Sequence, residues 1–192
     1  MKLKNINTKF LGKNILYYDE IDSTQTKIWK LIEDKKAPNG TLVIADIQTN
    51  GKGTHGRTWY TDEKGNIAFS FYIETDCNVK KMEGITTEIA KIIVNIFKDK
   101  YKISLQIKQP NDIIFNNKKI GGILTQSKVS SQNMKCLVIG IGINTKKEKF
   151  NNELKDIATS IKKEFNIEVN TEEFISEFCN CFEKEIINRK IV

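Results

Sequence analysis

The apolar positions of this chain change spacing along its length, from the two-residue period of strands to the wider period of helices. In residues 67–73 four large apolar side chains alternate with small or polar ones, which predicts a half-buried strand. In residues 83–98 the isoleucines recur three and four positions apart, which predicts an amphipathic helix. Shorter apolar runs predict further strands at residues 14–18, 42–45, 105–107, 113–115, 120–124 and 136–143.

Short polar residues mark where these elements begin and turn. Residues 22–24 offer capping side chains ahead of a helix that carries Leu31 and its isoleucines on one face. Residues 38–40 and 116–119 predict turns, the second one closing a hairpin. A last helix is predicted from Asn170, Glu173, Phe174, Phe178, Cys181 and Phe182. We therefore predict an α+β fold in which a mixed, largely antiparallel sheet is flanked by helices.

The size and hydropathy of the chain are those of one ordinary globular domain. Its 192 residues suit a single domain, 1–192, and 39% of them are hydrophobic, with a mean hydropathy of -0.41. The apolar runs at 42–45 and 136–139 are far shorter than the ~20 residues that cross a bilayer. No apolar stretch follows the N-terminal lysines as it would in a signal peptide. We therefore expect a cytoplasmic protein with no membrane partner.

Cysteine, histidine and charge narrow the function classes further. Four scattered cysteines and the single His55 give too few ligands at usable spacing for structural zinc, so we expect reduced thiols and no protein-bound metal. The formal charge is +7, and the lysines come in scattered pairs rather than along one helix. This pattern favours a solvated, mildly basic surface. An anionic ligand, an acidic partner or a basic nucleic-acid-binding module are the alternatives.

The first candidate for chemistry is the glycine-rich basic loop of residues 48–59. Its three glycines let the backbone approach a ligand closely, and exposed backbone N–H groups in such a loop form a concavity that binds anions. Lys52 and Arg57 place positive charge beside it. The pattern is neither a Walker loop nor a dinucleotide fingerprint. Taken alone, the loop fits a phosphate cradle or a plain surface loop.

Three further clusters lie in or beside predicted strands. Proline in residues 108–112 makes a sharp exit that presents Lys108, Asn111 and Asp112 at a rim, although a plain strand-to-turn junction has the same composition. Adjacent glycines within 119–124, and alternate glycines within 140–144, stand where strand side chains normally pack. The two strands together indicate a flat slot for a ligand, with strain at a barrel corner as the alternative.

In register, these clusters resemble the biotin protein ligases over residues 18–160. Residues 22–24 (Asp-Ser-Thr) and 158–160 (Ala-Thr-Ser) resemble the family's first and last signatures. Residues 48–59 resemble its Gln-Thr-x-Gly-Arg-Gly-Arg-x-Gly-Arg-x-Trp, and residues 108–112 its Lys-Trp-Pro-Asn-Asp. Each motif is only moderately specific, but four in the same order are a strong match. The resemblance implies a fold similar to that of class II aminoacyl-tRNA synthetases.

The resemblance also implies a two-step ligase reaction. The biotin carboxylate would attack the α-phosphate of ATP to give biotinyl-AMP and pyrophosphate, with Mg²⁺ assisting. A lysine amine of a biotin carboxyl carrier domain would then attack the mixed anhydride. A lipoate or octanoate ligase shares this logic and is the nearest alternative, but its signatures differ from residues 48–59. The resemblance leaves a homodimer open.

The resemblance carries specific roles onto matching positions of this sequence. Biotin binding is expected from Ser23, Thr24, Gln25, Gln48, Gly51, Lys119, Gly121 and Gly122. ATP binding is expected from Lys52, Gly53, Thr54, Arg57, Lys108, Asn111 and Asn144. Catalytic roles are expected from Lys119, Lys52, Arg57 and Asp112. Lys119 would lie at the biotin carboxylate and the α-phosphate, and Asp112 would orient or deprotonate the incoming amine.

The chain departs from the family pattern in both composition and extent. Lys52 and Thr54 stand where loop arginines are usual, and Gln109 stands where tryptophan is usual, so a weaker grip on the adenylate is expected. Residues 1–192 are expected to be a single catalytic domain with no helix-turn-helix before it and no small β-barrel after it. A DNA-binding role is therefore not expected.

Overall fold

In a computed structural model, which describes residues 3–192, the chain forms one seven-stranded sheet with helices on both faces. The strand order is β1-β2-β3-β7-β6-β5-β4, and only the β1–β2 pair is parallel. The strands are β1 (Ile15–Ile21), β2 (Leu42–Gln48), β3 (Ile67–Asn78), β4 (Gln106–Lys108), β5 (Asp112–Phe115), β6 (Lys118–Ser130) and β7 (Asn133–Ile143). The helices are α1 (Thr24–Glu33), α2 (Ile85–Tyr101), α3 (Ile161–Phe165) and α4 (Thr171–Asn188). The predicted fold class is confirmed.

Several elements extend beyond the segments that their apolar pattern predicts. Strand β3 continues to Asn78 and β6 to Ser130, because both remain paired with β7 after their side chains become polar. Backbone pairing, rather than apolar alternation, sets their length. The predicted hairpin turn is present, and Asn116 and Asn117 both adopt positive φ as a two-residue hairpin turn requires.

The two faces of the central strands are built from side chains of very different size. Because strand side chains alternate between faces, Phe69 and Phe71 lie on one side of β3, while Ala68 and Ser70 lie on the other. The phenylalanine side packs against Phe178 of α4, with ring centroids 5.6 and 5.7 Å apart. Burial of each ring contributes about 1.5–3 kcal/mol, so this face anchors the sheet.

The opposite face is covered by α1 over only part of its length. Ile28 of α1 is fully buried, and it lies in one apolar cluster with Val43, Tyr72 and Val138 from three strands. Ser23 caps this helix, since its hydroxyl accepts from the Thr26 N–H at 3.4 Å. The small residues of the sheet lie beside the first turn of α1, where Gln25 faces Gly140 and Thr24 faces Ser70, and the candidate site lies there.

Candidate active site

The floor of the site consists of glycines and one serine on three adjacent strands. Gly140 and Gly142 of β7 pair with Ser70 and Ala68 of β3, and Gly142 also pairs with Gly122 of β6. The sequence indicated a flat slot here, and the register produces it. The slot holds a side chain: a Cβ on Gly142 would lie 2.7 Å from Trp59 Cζ2 and still closer to two other atoms of that indole.

One wall is the first turn of α1, held to the end of β2 by a buried hydrogen-bond network. The Thr24 N–H and hydroxyl both donate to Gln48 Oε1, at 2.8 and 3.0 Å. The Ser70 hydroxyl lies 2.8 Å from the Thr24 hydroxyl, and Gln48 Nε2 donates to Thr61 at 3.2 Å. These groups are buried and satisfied by one another, so the wall is rigid before any ligand binds.

The loop of residues 48–59 folds back on itself as a narrow hairpin. The Trp59 N–H donates to the Gly51 carbonyl at 2.9 Å, and a Cβ on Gly51 would overlap with the Trp59 carbonyl oxygen. The tip turns at residues 53–57, where the Gly53 N–H donates to the Arg57 carbonyl at 2.8 Å. Arg57 donates in turn to the Thr54 hydroxyl at 3.0 Å and to its carbonyl at 3.2 Å. Thr54 therefore holds the one arginine that the loop retains.

Lys119 is the cation at the centre of the site. Its Nζ is 2.6 Å from Asp112 Oδ1 and 5.6 Å from the centroid of the Trp59 ring. Its backbone is fixed on both sides, because its N–H donates to the Ile157 carbonyl at 2.8 Å and its carbonyl accepts from Thr159 at 2.9 Å. A Cβ on Gly122 would lie 3.1 Å from Lys119 Cε, so Gly122 makes room for this side chain.

Two cavities meet at Trp59 and Lys119. The first measures about 40 Å³, is closest to α1 and is lined by polar residues and glycines together with Trp59 and three aliphatic residues. The second measures about 160 Å³ and lies toward the segment after β7. Gly53, Thr54, Trp59 and Lys119 line both of them. A ligand in one cavity would therefore face a ligand in the other across Lys119.

The second cavity combines an apolar wall with a buried cation. Phe150, Leu154 and Ile157 provide the apolar surface, and Asn144 lies at its inner end, donating to the Thr159 carbonyl at 3.1 Å. The cation is Lys147, whose side chain is only 5% exposed and forms an ion pair with Asp62.

The structure brings most of the predicted site residues to these cavities. The first cavity is lined by Ser23, Thr24, Gln25, Gln48, Lys52, Gly53, Thr54, Asn111, Lys119 and Gly122, and the second by Gly53, Thr54, Arg57, Lys119 and Asn144. Four predicted residues line neither cavity. Gly51 supports Trp59, Asp112 reaches the site through Lys119, Gly121 turns toward Ile113 in the core, and Lys108 is exposed at a strand end. Gly121 therefore gives no room to a ligand ring.

Sequence reasoning missed other residues of the two cavities. The loop motif includes Trp59 only as its last position, yet the Trp59 indole is the side chain that lies on the glycine floor. The sequence predicts Ser70 only as a small residue of an alternating strand, although its position between large apolar neighbours is a signal for a residue of the floor. Lys147 gave no signal, since nothing in the sequence separates this buried lysine from the exposed Lys146 beside it.

Residues 3–192 offer neither a cluster of metal ligands nor a helix that could span a membrane. That part of the chain contains no cluster of three or more His, Cys, Asp and Glu side chains that could hold an ion. Neither cavity wall carries a carboxylate among the described residues. None of the described helices has both the length and the apolar character that a membrane crossing requires.

The chain combines a mixed seven-stranded sheet with two cavities that meet at a lysine over a glycine floor. Residues 17–144 match the model of the biotin/lipoate A/B protein ligase family, and the chain belongs to this family. It is 35% identical over 181 residues to the bifunctional ligase/repressor BirA of Bacillus subtilis, an alignment that covers 93% of this chain and 55% of that protein. The chain thus spans about half the length of the curated relatives it matches.

Solved structures give the same assignment. A biotin protein ligase from Aquifex aeolicus, in complex with biotin and ATP, superposes with a TM-score of 0.73 at 27% identity, covering 93% of this chain and 72% of that one. P. falciparum LipL1, in complex with lipoate, superposes with a TM-score of 0.58 at 15% identity and shares the fold alone. The resemblance predicted from the motifs is confirmed at the level of the family.

Proposed function

We propose that this chain attaches biotin to a lysine of a biotin carboxyl carrier domain, at the expense of ATP and through biotinyl-AMP. The observation that carries the proposal is the meeting of two cavities at Lys119. An adenylate-forming enzyme must hold two anions end to end, and their repulsion is overcome by a cation between them. The family match and the relatives with ligase names support this reading.

The first cavity suits the bicyclic head of biotin. Its wall presents the hydroxyls of Ser23 and Thr24 and the amides of Gln25 and Gln48, which match the donors and acceptors of a cyclic urea. The dithiolane ring of lipoate offers no N–H to such a wall. The hydrogen-bonding side chains of this wall therefore favour biotin over the lipoate or octanoate alternative. Because the cavity is small with Trp59 on the floor, biotin entry would require the indole to move.

The second cavity suits the nucleotide. Phe150, Leu154 and Ile157 offer apolar surface to the adenine base, while Arg57 and Lys147 bring positive charge to the phosphates. Asn144 lines this second cavity and would bind the nucleotide. Asn111 lines the first cavity and would reach the nucleotide from there. Lys108 lies at the rim, where it would meet a phosphate only from outside the cavities.

Lys119 would stabilise charge in both steps. Its Nζ would contact the biotin carboxylate and the α-phosphate during adenylation, and the carbonyl oxygen of the mixed anhydride during transfer. Asp112, 2.6 Å from this Nζ, would hold the lysine in place and orient the carrier amine as it arrives. Lys52 and Arg57 would close over the leaving pyrophosphate.

Mg²⁺ fits this site as a companion of ATP rather than as a resident ion. Neither cavity wall offers a carboxylate among the described residues, and Asp112 is already paired with Lys119. Mg²⁺ in nucleotide sites is commonly held by substrate phosphates and water with few protein ligands. When bound to the triphosphate it neutralises charge on the oxygens.

The proposal is tested by mass spectrometry of a carrier domain incubated with the chain, ATP, Mg²⁺ and either biotin or lipoate. We expect a mass gain with biotin alone, and its loss in Lys119→Met but not in Lys118→Met, since Lys118 faces the Lys155 carbonyl outside the site. A gain with lipoate alone would reassign the substrate. Salt-sensitive RNA or DNA binding with no gain from either acid would support the nucleic-acid alternative.

A further inference from the structure

Among the described residues that line the first cavity, Gln25 alone has a buried side-chain acceptor without a partner. Gln25 is 4% exposed, and its Nε2 donates to Gln126 Oε1 at 2.9 Å. Its Oε1 is fully buried and has no hydrogen-bond partner. This oxygen lies against Gly140, where a Cβ would be 2.7 Å away, so it belongs to the wall over the glycine floor. A buried acceptor left unpaired costs free energy that a ligand donor would recover.

The orientation of this amide is set from outside the cavity. The Trp29 indole N–H, which can only donate, lies 2.6 Å from Gln126 Oε1. Gln126 must therefore present its oxygen to Trp29, and the same oxygen takes the Gln25 Nε2. With Nε2 committed, Gln25 is obliged to turn Oε1 toward Gly140. Through these two hydrogen bonds, the Trp29 N–H at the surface determines that Gln25 presents an acceptor to the cavity.

We infer that Gln126 and Trp29 are positioning residues that hold the Gln25 carbonyl as an acceptor for a ring N–H of the substrate. The inference rests on the proposed function and adds to it the reason why the site would select biotin over lipoate. A cyclic urea supplies the missing donor, whereas a dithiolane or bare acyl chain leaves the acceptor buried and unpaired. Sites built around one substrate hydrogen bond reject analogues that lack it far more strongly than apolar pockets reject a missing methylene.

A matched pair of substitutions at Gln126 tests the inference. Gln126→Glu keeps an acceptor for both donors, so Gln25 Oε1 still faces the cavity and the KM for biotin stays near wild type. Gln126→Lys offers only a donor, which pairs with Gln25 Oε1 and turns Nε2 toward the ring N–H. We expect its KM for biotin to rise ~10-fold or more, with kcat and the KM for ATP unchanged. Charge alone predicts a lower KM for biotin in Gln126→Lys than in Gln126→Glu, because an added lysine attracts the biotin carboxylate.

Two further measurements separate positioning from general damage. Trp29→Phe frees Gln126 to turn and should give a smaller rise in the KM for biotin, whereas Lys128→Met removes only the cation 5.3 Å from the Trp29 ring and should change nothing. Biotin methylated at its ring nitrogens should bind more weakly than biotin to wild type and to Gln126→Glu. To Gln126→Lys, the methylated biotin should bind almost as tightly as biotin itself.

Specific outcomes would overturn the inference. Equal KM values for biotin in Gln126→Glu and Gln126→Lys would do so. An equal fall in kcat together with an equal rise in the KM for ATP in both variants would do so as well. Calorimetry of wild type with biotin alone keeps this failure distinct from that of the proposed function. If wild type neither binds nor transfers biotin, the function itself is wrong. If it does both and the Gln126 pair behaves alike, only the positioning role is wrong.

Discussion

Replacement of Gly142 by alanine would place a methyl group in the space that the Trp59 indole occupies. The added methyl group would be 2.7 Å from Trp59 Cζ2, with two other ring atoms closer, where ordinary contact is 3.4–4 Å. The backbone fixes the position of this methyl group, since Gly142 is paired with Ala68 on one side and Gly122 on the other. The indole must therefore withdraw by roughly 1 Å, because carbon atoms attract at ~3.5–4.0 Å.

The free-energy cost of moving the indole sets the expected loss of biotin affinity. Overpacking a well-packed site costs ~1–3 kcal/mol, and the same methyl group would intrude on a ring bound over the floor. Since 1.4 kcal/mol is about tenfold in affinity, we expect Gly142→Ala to weaken biotin binding by ~10- to 100-fold. Calorimetry measures the affinity. The ¹⁹F NMR spectrum of fluorotryptophan-labelled protein reports the indole, because the chain has only Trp29 and Trp59.

A second glycine controls for lost stability. Gly84 precedes α2 with φ +74°, and a Cβ there would meet nothing within 4 Å. Gly84→Ala thus costs ~1–2 kcal/mol of backbone strain without touching the site, and biotin affinity should be that of wild type. If Gly142→Ala leaves both the Trp59 resonance and biotin affinity unchanged while the protein stays folded, the close packing of Trp59 on the floor is wrong.

Three other changes probe the cations of the site. Lys119→Met should lower the rate of adenylation ~10²–10³-fold in a pyrophosphate-exchange assay, because it removes the charge between two anions; Lys118→Met should not. Thr54→Arg should slow the release of biotinyl-AMP from the purified protein, since a second loop arginine adds a phosphate contact, and equal release rates would contradict this role. Lys147→Met should raise the Kd for a non-hydrolysable ATP analogue ~10-fold by calorimetry. Lys149→Met, at an exposed neighbouring position, should leave that Kd as it is.

The floor of the site was predictable because it follows from local rules. Glycines at alternate positions of one strand must share a face, so the gap at Gly140 and Gly142 follows once 136–143 is known to be a strand. That Trp59 fills the gap does not follow, because the loop reaches β7 only through the order of strands in the sheet. The same is true of Gln126, whose partner Trp29 is 97 residues away. Contacts between distant segments carry no periodic signal in the sequence.

Positive charge around the second cavity is distributed between the loop and the sheet. The loop lacks an arginine at Thr54, and its remaining Arg57 donates to Thr54 rather than standing free. Lys147, by contrast, lies in the segment after β7 and is held in the wall by Asp62 and by the ring of Phe150, 5.5 Å from its Nζ. A cation already held by an ion pair and an aromatic ring loses less side-chain freedom on binding phosphate than an exposed one. ATP affinity should therefore depend more on Lys147 than on the loop, while retention of the adenylate, which requires the loop to close, depends on Thr54 and Arg57.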